Sequence, residues 1–145
     1  NHGRFIMEGC HVSGAGMVHT LTERTKRQRQ LEPNPAPAAV YAEHLRGDLI
    51  MRGCVVSENE SSGIHVGKHA NFKAENCDVS YNGGYGMILD SGEGYKLEVR
   101  RCTIWRNMKF SLQVPYWSKV NGITLAENHI QNRNGEEETD EDDSE

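Results

Sequence analysis

The sequence predicts an all-β fold, a right-handed parallel β-helix (solenoid) of about five coils, and two observations predict it. The first is a repeat, in which Cys54, Cys77 and Cys102 are separated by 23 and 25 residues and Asn128 follows 26 residues later. The second is that the same apolar positions surround each of these residues, and an asparagine follows each of the three cysteines by five residues. A unit of this length cannot bury its inner face alone, so copies are expected to stack around one continuous core.

Two short strands in each unit are predicted by apolar residues at fixed distances from the repeated cysteine or asparagine. They stand five and three residues before it and two residues after it. The sets are Leu49, Met51 and Val56; Phe72, Ala74 and Val79; Leu97, Val99 and Ile104; Ile123, Leu125 and Ile130; and, around Cys10, Phe5, Met7 and Val12. This spacing indicates strands with one face turned inward.

A column of asparagines is predicted next to these strands. Asn59, Asn82 and Asn107 follow their cysteines by five residues, and each precedes a third apolar segment, at residues 63–66, 86–89 and 111–114. Stacked side-chain amides can hydrogen-bond to one another from coil to coil. Asn59 also begins an acceptor pattern for glycosylation, which we interpret as structural because the residue belongs to this column.

The cysteines are predicted to form a column of free, buried thiols. Zinc sites group their ligands at short local spacings, whereas these cysteines recur once per coil, so we expect no metal and no cofactor. Side chains that project in parallel seldom meet the torsion of a disulfide. Reduced cysteines favour a cytoplasmic or nuclear location.

Two of the units carry a family resemblance. Residues 54–59 with 63–66, and residues 77–82 with 86–89, resemble the degenerate parallel β-helix repeat of the pectin-lyase-like superfamily, over about residues 5–134. Cysteine-containing coils of this kind look most similar to the β-helix regions of the Shc-binding spindle protein family and the F-box β-helix family. The resemblance implies the fold, and it implies little about function because the fold hosts many activities.

The predicted β-helix covers residues 1–135 and contains a basic, proline-containing insertion at residues 20–38. Charge and alternating prolines favour a solvated loop there. The basic residues are Arg24, Lys26, Arg27 and Arg29. The third strand of the first coil falls either at residues 16–18 or at residues 39–42, and the pattern leaves both open. A short basic run is a weak motif, so nucleic acid is not an expected partner.

Residues 136–145 are predicted to form a disordered acidic tail. The segment holds eight of the 21 acidic residues, which leaves 13 acidic against 16 basic residues in the body. Like charges at this density repel one another. The first coil has no predicted cap, so its edge favours self-association or further coils upstream, as in the C-terminal part of a longer chain. No apolar run reaches the length of about 18 residues that a membrane span needs.

The coils show no catalytic constellation. A glycosidase needs two carboxylates about 5 to 10 Å apart on one face. Asp48, Asp78, Asp90 and Glu93 are the acids in plausible positions, and they form no row along the stack. The coils contain none of the Asp-Asp, Gly-His-Gly or Arg-Ile-Lys patterns of hydrolases with this fold. The domain is therefore not expected to be an enzyme.

Binding chemistry is better represented on the predicted surface. His65, Ile88 and Gln113 are expected to share one outward-facing row, and charged and aromatic residues lie in the turns around it. Exposed aromatic residues with charged neighbours suit a protein hot spot or a sugar platform. The candidates are His65, Lys68, His69, Tyr85, Asp90, Trp105, Tyr116 and Trp117, together with the basic residues of the insertion.

The sequence thus favours a non-catalytic interaction domain that binds a protein partner through its lateral face and basic loop. The alternative is a domain that binds or cleaves an acidic polysaccharide, with any catalytic residues outside this segment.

Overall fold

The computed structural model describes residues 4–14, 19–22, 38–92, 94–113, 123–131 and 137–138. Its described secondary structure consists of strands, most of them three to five residues long. They are β1 (Phe5–Glu8), β2 (His11–Ser13), β3 (His19–Thr22), β4 (Ala38–Glu43), β5 (Asp48–Arg52), β6 (Val55–Ser57), β7 (Ser62–Val66), β8 (Asn71–Glu75), β9 (Asp78–Ser80), β10 (Met87–Leu89), β11 (Leu97–Arg100), β12 (Thr103–Trp105), β13 (Leu112–Gln113), β14 (Ile123–Ala126), β15 (His129–Gln131) and β16 (Glu137–Glu138). Among the described residues no helix is long and apolar enough to cross a membrane.

The strands form three sheets around one solenoid, which confirms the predicted fold. The first sheet has the order β1-β5-β8-β11-β14, the second β2-β6-β9-β12-β15-β16, and the third β3-β4-β7-β10-β13. Every pairing is parallel except that of β15 with β16. Three complete coils follow one another without interruption, namely β5–β7, β8–β10 and β11–β13, so the structure holds fewer regular coils than the predicted five.

The core lies between the three sheets and consists of rows of stacked apolar side chains. In the first sheet Leu49, Phe72 and Leu97 are paired in register and buried. The second sheet contributes the row Val12, Val56, Val79, Ile104 and Ile130, all buried. These are the residues whose spacing predicts inward-facing strands, and their burial is the main driving force for stacking.

The asparagine column is a continuous hydrogen-bonded ladder. Asn59 Nδ2 donates to Asn82 Oδ1 at 2.8 Å, and Asn82 Nδ2 donates to Asn107 Oδ1 at 2.9 Å. Each Nδ2 also donates to a backbone carbonyl of the preceding coil. The three side chains are buried, so the acceptor asparagine of the glycosylation pattern, Asn59, lies inside the fold.

The cysteine column is also as predicted. All four cysteines lie in the described part of the chain and are free, and Cys54, Cys77 and Cys102 are buried. Their thiols donate to backbone carbonyls, as in the 3.2 Å contact from Cys54 Sγ to the Met7 oxygen. Asn128 continues the column, where its Oδ1 accepts the Cys102 amide at 2.8 Å.

The turns before the cysteines use left-handed backbone conformations. The residue preceding each cysteine, and the one preceding Asn128, has a positive φ. They are Gly9 at 62°, Gly53 at 60°, Asn76 at 55°, Arg101 at 50° and Glu127 at 59°. Only two of the five are glycine, so the other three carry the steric cost of that conformation.

A ladder of alternating charge runs along the outer face of the first sheet. Glu8, Arg52, Glu75 and Arg100 are paired in register on successive coils. Arg52 contacts Glu8 at 3.2 Å and Glu75 at 3.6 Å. These are partly exposed ion pairs, each of which contributes about 0 to 1 kcal/mol.

Two segments differ from their predicted descriptions. β3 occupies residues 19–22 and pairs with β4, which begins at Ala38, so strands extend into both ends of the predicted insertion at residues 20–38. Since β4 pairs in register with β7, residues 39–42 supply the third strand of the first coil. In the predicted disordered tail, Glu137 and Glu138 form β16, whose backbone pairs with the edge of β15.

Candidate functional site

The turn between the second and third strands of each coil forms one corner of the solenoid. In the third coil this turn comprises residues 81–86, and in the fourth it comprises residues 106–111. Backbone hydrogen bonds from Met108 to Asn82 and from Lys109 to Gly84 set the stacking of the two turns. In this register Phe110 occupies the position next to Tyr85 on the neighbouring coil, Met108 the position next to Gly83, and Arg106 the position next to Tyr81.

Three large apolar side chains are exposed at this corner. Tyr81 is 51% exposed, Met108 54% and Phe110 59%, and Ile6 is the one other large apolar residue of comparable exposure among the described residues. Scattered apolar residues on a surface need no explanation, whereas a contiguous group marks an interaction site. We call this surface, defined by Tyr81, Tyr85, Trp105, Met108 and Phe110, the apolar corner.

Two cations and an aromatic pair border the apolar corner. The Arg106 guanidinium lies 5.0 Å from the centre of the Trp105 ring, and the Lys109 ammonium lies 5.4 Å from the centre of the Tyr85 ring. Tyr81 and Trp105 contact each other edge to face at 5.9 Å. Both cations are within cation–π range, which limits the freedom of their side chains.

A notch of about 260 Å³ opens beside the corner. On the third coil the notch is bounded by Gly83 and Gly84, which have no side chains. Glu60 lies on one side of them, on the second coil, and Lys109 lies on the other side, on the fourth coil. Tyr85 and Ile88 complete the lining together with two serines, Ser61 and Ser62. The notch thus has an apolar wall and opposite charges at its two ends.

The outer face of the third sheet carries the predicted row. His65, Ile88 and Gln113 are paired in register, as the sequence predicts, and Tyr41 extends the row onto β4. The rings of Tyr41 and His65 pack edge to face at 4.8 Å, and Tyr41 Oη donates to Glu43 Oε1 at 2.8 Å. Burial lowers the pKa of His65, and the nearby carboxylates of Asp90 and Glu43 partly offset this effect.

A groove of about 350 Å³ lies on the outer face of the first sheet. Its lining combines two acids, Asp48 and Glu98, with the cations Lys73 and Lys96 around Ile50. Asn71 fixes one side, since its Nδ2 donates to Asp48 Oδ1 at 3.2 Å and its Oδ1 accepts the Lys96 amide at 2.8 Å. No sequence pattern singled out this groove, because its residues belong to three different coils.

A family model described as a right-handed β-helix region matches residues 1–137 of the chain. The chain belongs to the right-handed β-helix family. Comparison with curated proteins and with solved structures found no match. The match establishes the fold and its hand, while the chemistry of the β-helix has to be argued from its own side chains.

The predicted binding residues of this β-helix lie on separate surfaces. Tyr85 and Trp105 belong to the apolar corner, whereas His65 and Asp90 lie on the third-sheet face. Lys68 and His69 lie in the turn after β7, where His69 Nδ1 is 3.2 Å from His44 Nδ1 and the His69 ring packs on Tyr95 at 5.5 Å. The remaining candidates, Arg24, Lys26, Arg27, Arg29, Tyr116 and Trp117, lie outside the described residues.

Two candidate residues carry polar atoms that are buried without a hydrogen-bond partner. These atoms are His65 Nδ1 and Trp105 Nε1, and the third such atom among the described residues is Asp78 Oδ1. An unsatisfied buried polar group costs about 1 to 3 kcal/mol. In the described part of the β-helix, no group of three or more histidine, cysteine, aspartate or glutamate side chains could hold a metal ion.

Met108 and Phe110 are the functional candidates that sequence reasoning missed. Both fall between the asparagine of the ladder and the third strand, where the repeat tolerates different residues. One signal could have identified Met108: the equivalent position of the preceding coil is Gly83, so a large apolar residue there is not required by the core.

Proposed function

We propose that this β-helix is a non-catalytic interaction domain that binds a protein partner through the apolar corner. The observation that carries the proposal is the exposure of Tyr81, Met108 and Phe110 on two adjacent coils. Aromatic residues, Met and Arg are enriched in protein interfaces, and Trp, Tyr and Arg dominate their binding energy. Arg106 and Trp105 add those residue types at the same corner.

The placement of the candidate acids also supports a non-catalytic role. Asp48 begins β5 of the first sheet, Asp78 begins β9 of the second, and Asp90 follows β10 of the third. A pair of carboxylates that acts on one glycosidic bond has to share a face. These three acids belong to three different sheets, so no two of them form such a pair, although Asp48 does share the first-sheet groove with Glu98.

A protein-binding role agrees with the resemblance of the coils to the β-helix regions of the Shc-binding and F-box families, and more broadly to the pectin-lyase-like superfamily. Those narrower relationships are part of the proposal, as are a cytoplasmic or nuclear location and self-association through the first coil. The reduced cysteine column supports that location, because free buried thiols are typical of reducing compartments.

Photo-crosslinking tests the proposed surface. A photoreactive residue at position 110 is compared in cell extract with the same residue at position 6, because Ile6 is similarly exposed on the first sheet. We expect a discrete crosslinked protein at position 110. Excess unlabelled wild-type domain should prevent this crosslink, whereas excess of the double variant Met108→Ser, Phe110→Ser should not. Equal products at both positions, or competition by the double variant, would reject the apolar corner as the binding surface.

The first-sheet groove favours one alternative, binding of an acidic oligosaccharide. Lys73 and Lys96 could contact the carboxylates of uronic acids, and Asp48 and Asn71 could accept or donate hydrogen bonds to hydroxyl groups. Calorimetric titration with a uronic-acid tetramer distinguishes the two functions. Oligosaccharide binding would be the favoured function if the tetramer no longer binds the double variant Lys73→Ala, Lys96→Ala but still binds the double variant Met108→Ser, Phe110→Ser.

A further inference from the structure

We propose that the notch beside the apolar corner receives a short extended peptide of the partner, with a basic and an acidic residue three positions apart and a large apolar side chain between them. This inference rests on the proposed function and specifies the chemistry of the partner. It follows from the shape of the notch, from the spacing of its charges and from the apolar residues beside it.

The shape of the notch is fixed by the packing of the coils. A Cβ atom on Gly83 would lie 2.1 Å from the Glu60 carbonyl oxygen, and one on Gly84 would lie 2.6 Å from Ser62 Oγ. Ser62 Oγ also accepts the Tyr85 amide at 3.0 Å. Side chains are therefore excluded at positions 83 and 84 of the middle coil, and the backbone there is held in place from the preceding coil.

The charges at the two ends are separated along the solenoid axis. The backbone positions of Glu60 and Lys109 stand two coils apart, about 10 Å at the usual spacing of parallel strands, and the Lys109 ammonium lies over the Tyr85 ring of the coil between them. The electrostatic potential of the notch thus changes sign from the second coil to the fourth.

An extended peptide matches this separation. In the extended polyproline II conformation its backbone rises about 3.1 Å per residue with three residues per turn, so side chains three residues apart lie on one face about 9 Å apart. A basic residue would then lie near Glu60 and an acidic residue near Lys109. A large side chain between them would contact Tyr85 and Ile88 in the notch, where the cation–π contact of Lys109 with Tyr85 already orders one wall.

A panel of peptides with one central phenylalanine tests the charge pattern. Lys-Ser-Phe-Glu, Lys-Ser-Phe-Lys and Glu-Ser-Phe-Glu, each flanked by glycines, are titrated into the isotope-labelled chain and followed by NMR. We expect the mixed-charge peptide to bind the wild-type domain about tenfold more tightly than either like-charged peptide. This comparison holds whichever way the peptide runs, because reversing the chain keeps one charge of each sign.

Two variants test whether the charges at positions 60 and 109 determine which peptide is preferred. Lys109→Glu should prefer the Lys-Ser-Phe-Lys peptide, and Glu60→Lys should prefer the Glu-Ser-Phe-Glu peptide. The matched control Lys96→Glu carries the same charge change in the first-sheet groove and should keep the wild-type preference. Equal affinities for the three peptides, or a preference that the two variants leave unchanged, would overturn the inference.

The two proposals fail in different ways. If position 110 crosslinks a partner and the peptides do not bind, the partner contacts the apolar corner without using the notch, and only the inference is wrong. If the crosslinking is negative as well, the protein-binding function itself is wrong.

Discussion

Asn82 Nδ2 lies 2.9 Å from Asn107 Oδ1 and 3.1 Å from the carbonyl oxygen of Val56, so one buried amide joins three successive coils. Its Oδ1 accepts hydrogen bonds from the side chain and the backbone amide of Asn59. Both ends of the side chain are thus used within the fold. The ladder therefore connects the coils by polar contacts in addition to the apolar core.

Replacing the central amide of this ladder should be costly. We expect Asn82→Ala to lower the free energy of unfolding by about 3 kcal/mol, because buried partners on both neighbouring coils lose their hydrogen bonds. Urea denaturation measures the change. The control Asn71→Ala removes an amide that is only half-buried, and it should cost about 1 kcal/mol. Equal losses in the two variants would mean that burial does not set the energy of the ladder.

The left-handed turns before the cysteine column allow opposite predictions at two positions. Gly53→Ala should destabilise the fold by about 1 kcal/mol, since a Cβ there meets no neighbour within 4 Å and only the backbone conformation is penalised. Arg101→Gly should stabilise it by a similar amount, less the small contribution of the exposed Arg101–Glu127 ion pair. Thermal unfolding of both variants checks the two signs. Destabilisation by Arg101→Gly would show that flexibility of the unfolded chain outweighs the strain.

The cysteines should differ in reactivity. Burial raises the pKa of the Cys54 thiol, and the interaction between the neighbouring Cys77 and Cys102 thiols raises the pKa of Cys77 and lowers that of Cys102, whose burial still keeps the reagent away. Cys10 is only partly buried. Because the thiolate is the reactive form and needs access to the reagent, we expect iodoacetamide to modify Cys10 at least about tenfold faster than the other three. Peptide mass spectrometry over a time course gives the rates, and rapid modification of Cys77 would indicate local opening of the coils.

His65 should make the fold less stable in mild acid. Burial lowers its pKa below the unfolded value of about 6.5. At higher pH the residue is neutral in both states and has no effect. As the pH falls below about 6.5 the unfolded chain takes up the proton first, so stability decreases until the pH reaches the folded pKa.

Comparison with His65→Gln isolates this effect. The free energy of unfolding should fall more between pH 7 and pH 5 in the wild type than in the variant, with Asp90 and Glu43 limiting the difference. NMR titration of the His65 ring provides an independent check. A midpoint above that of an unfolded histidine would contradict the prediction.

The sequence predicted those parts of the β-helix that repeat. Leu49, Phe72 and Leu97 pair as expected because each coil has to fill the same space in the core, and the asparagines align because each turn has to satisfy the same buried backbone groups. A requirement that recurs in every coil is visible in one sequence. The sequence therefore revealed the fold, the asparagine ladder, the cysteine column and the row that contains His65.

The parts that occur only once could not be predicted in this way. β3 and β16 pair with edge strands but have no counterpart in the other coils. Phe110 is exposed because of how its turn stacks on Tyr85, and the first-sheet groove joins Asp48 to Lys96 across the stack. Each depends on contacts between coils at positions where the repeat imposes no residue type.

The alternating charges of the first sheet have a consequence for the order in which the coils assemble. Glu8, Arg52, Glu75 and Arg100 change sign at every step. If the chain skipped one coil during folding, Glu8 would meet Glu75, or Arg52 would meet Arg100, and like charges directly opposite one another are destabilising. Apolar rows alone would tolerate such a skip, because every coil offers a similar inner face. The alternating charges therefore favour the pairing of each coil with its neighbour in sequence over pairing with the next coil but one.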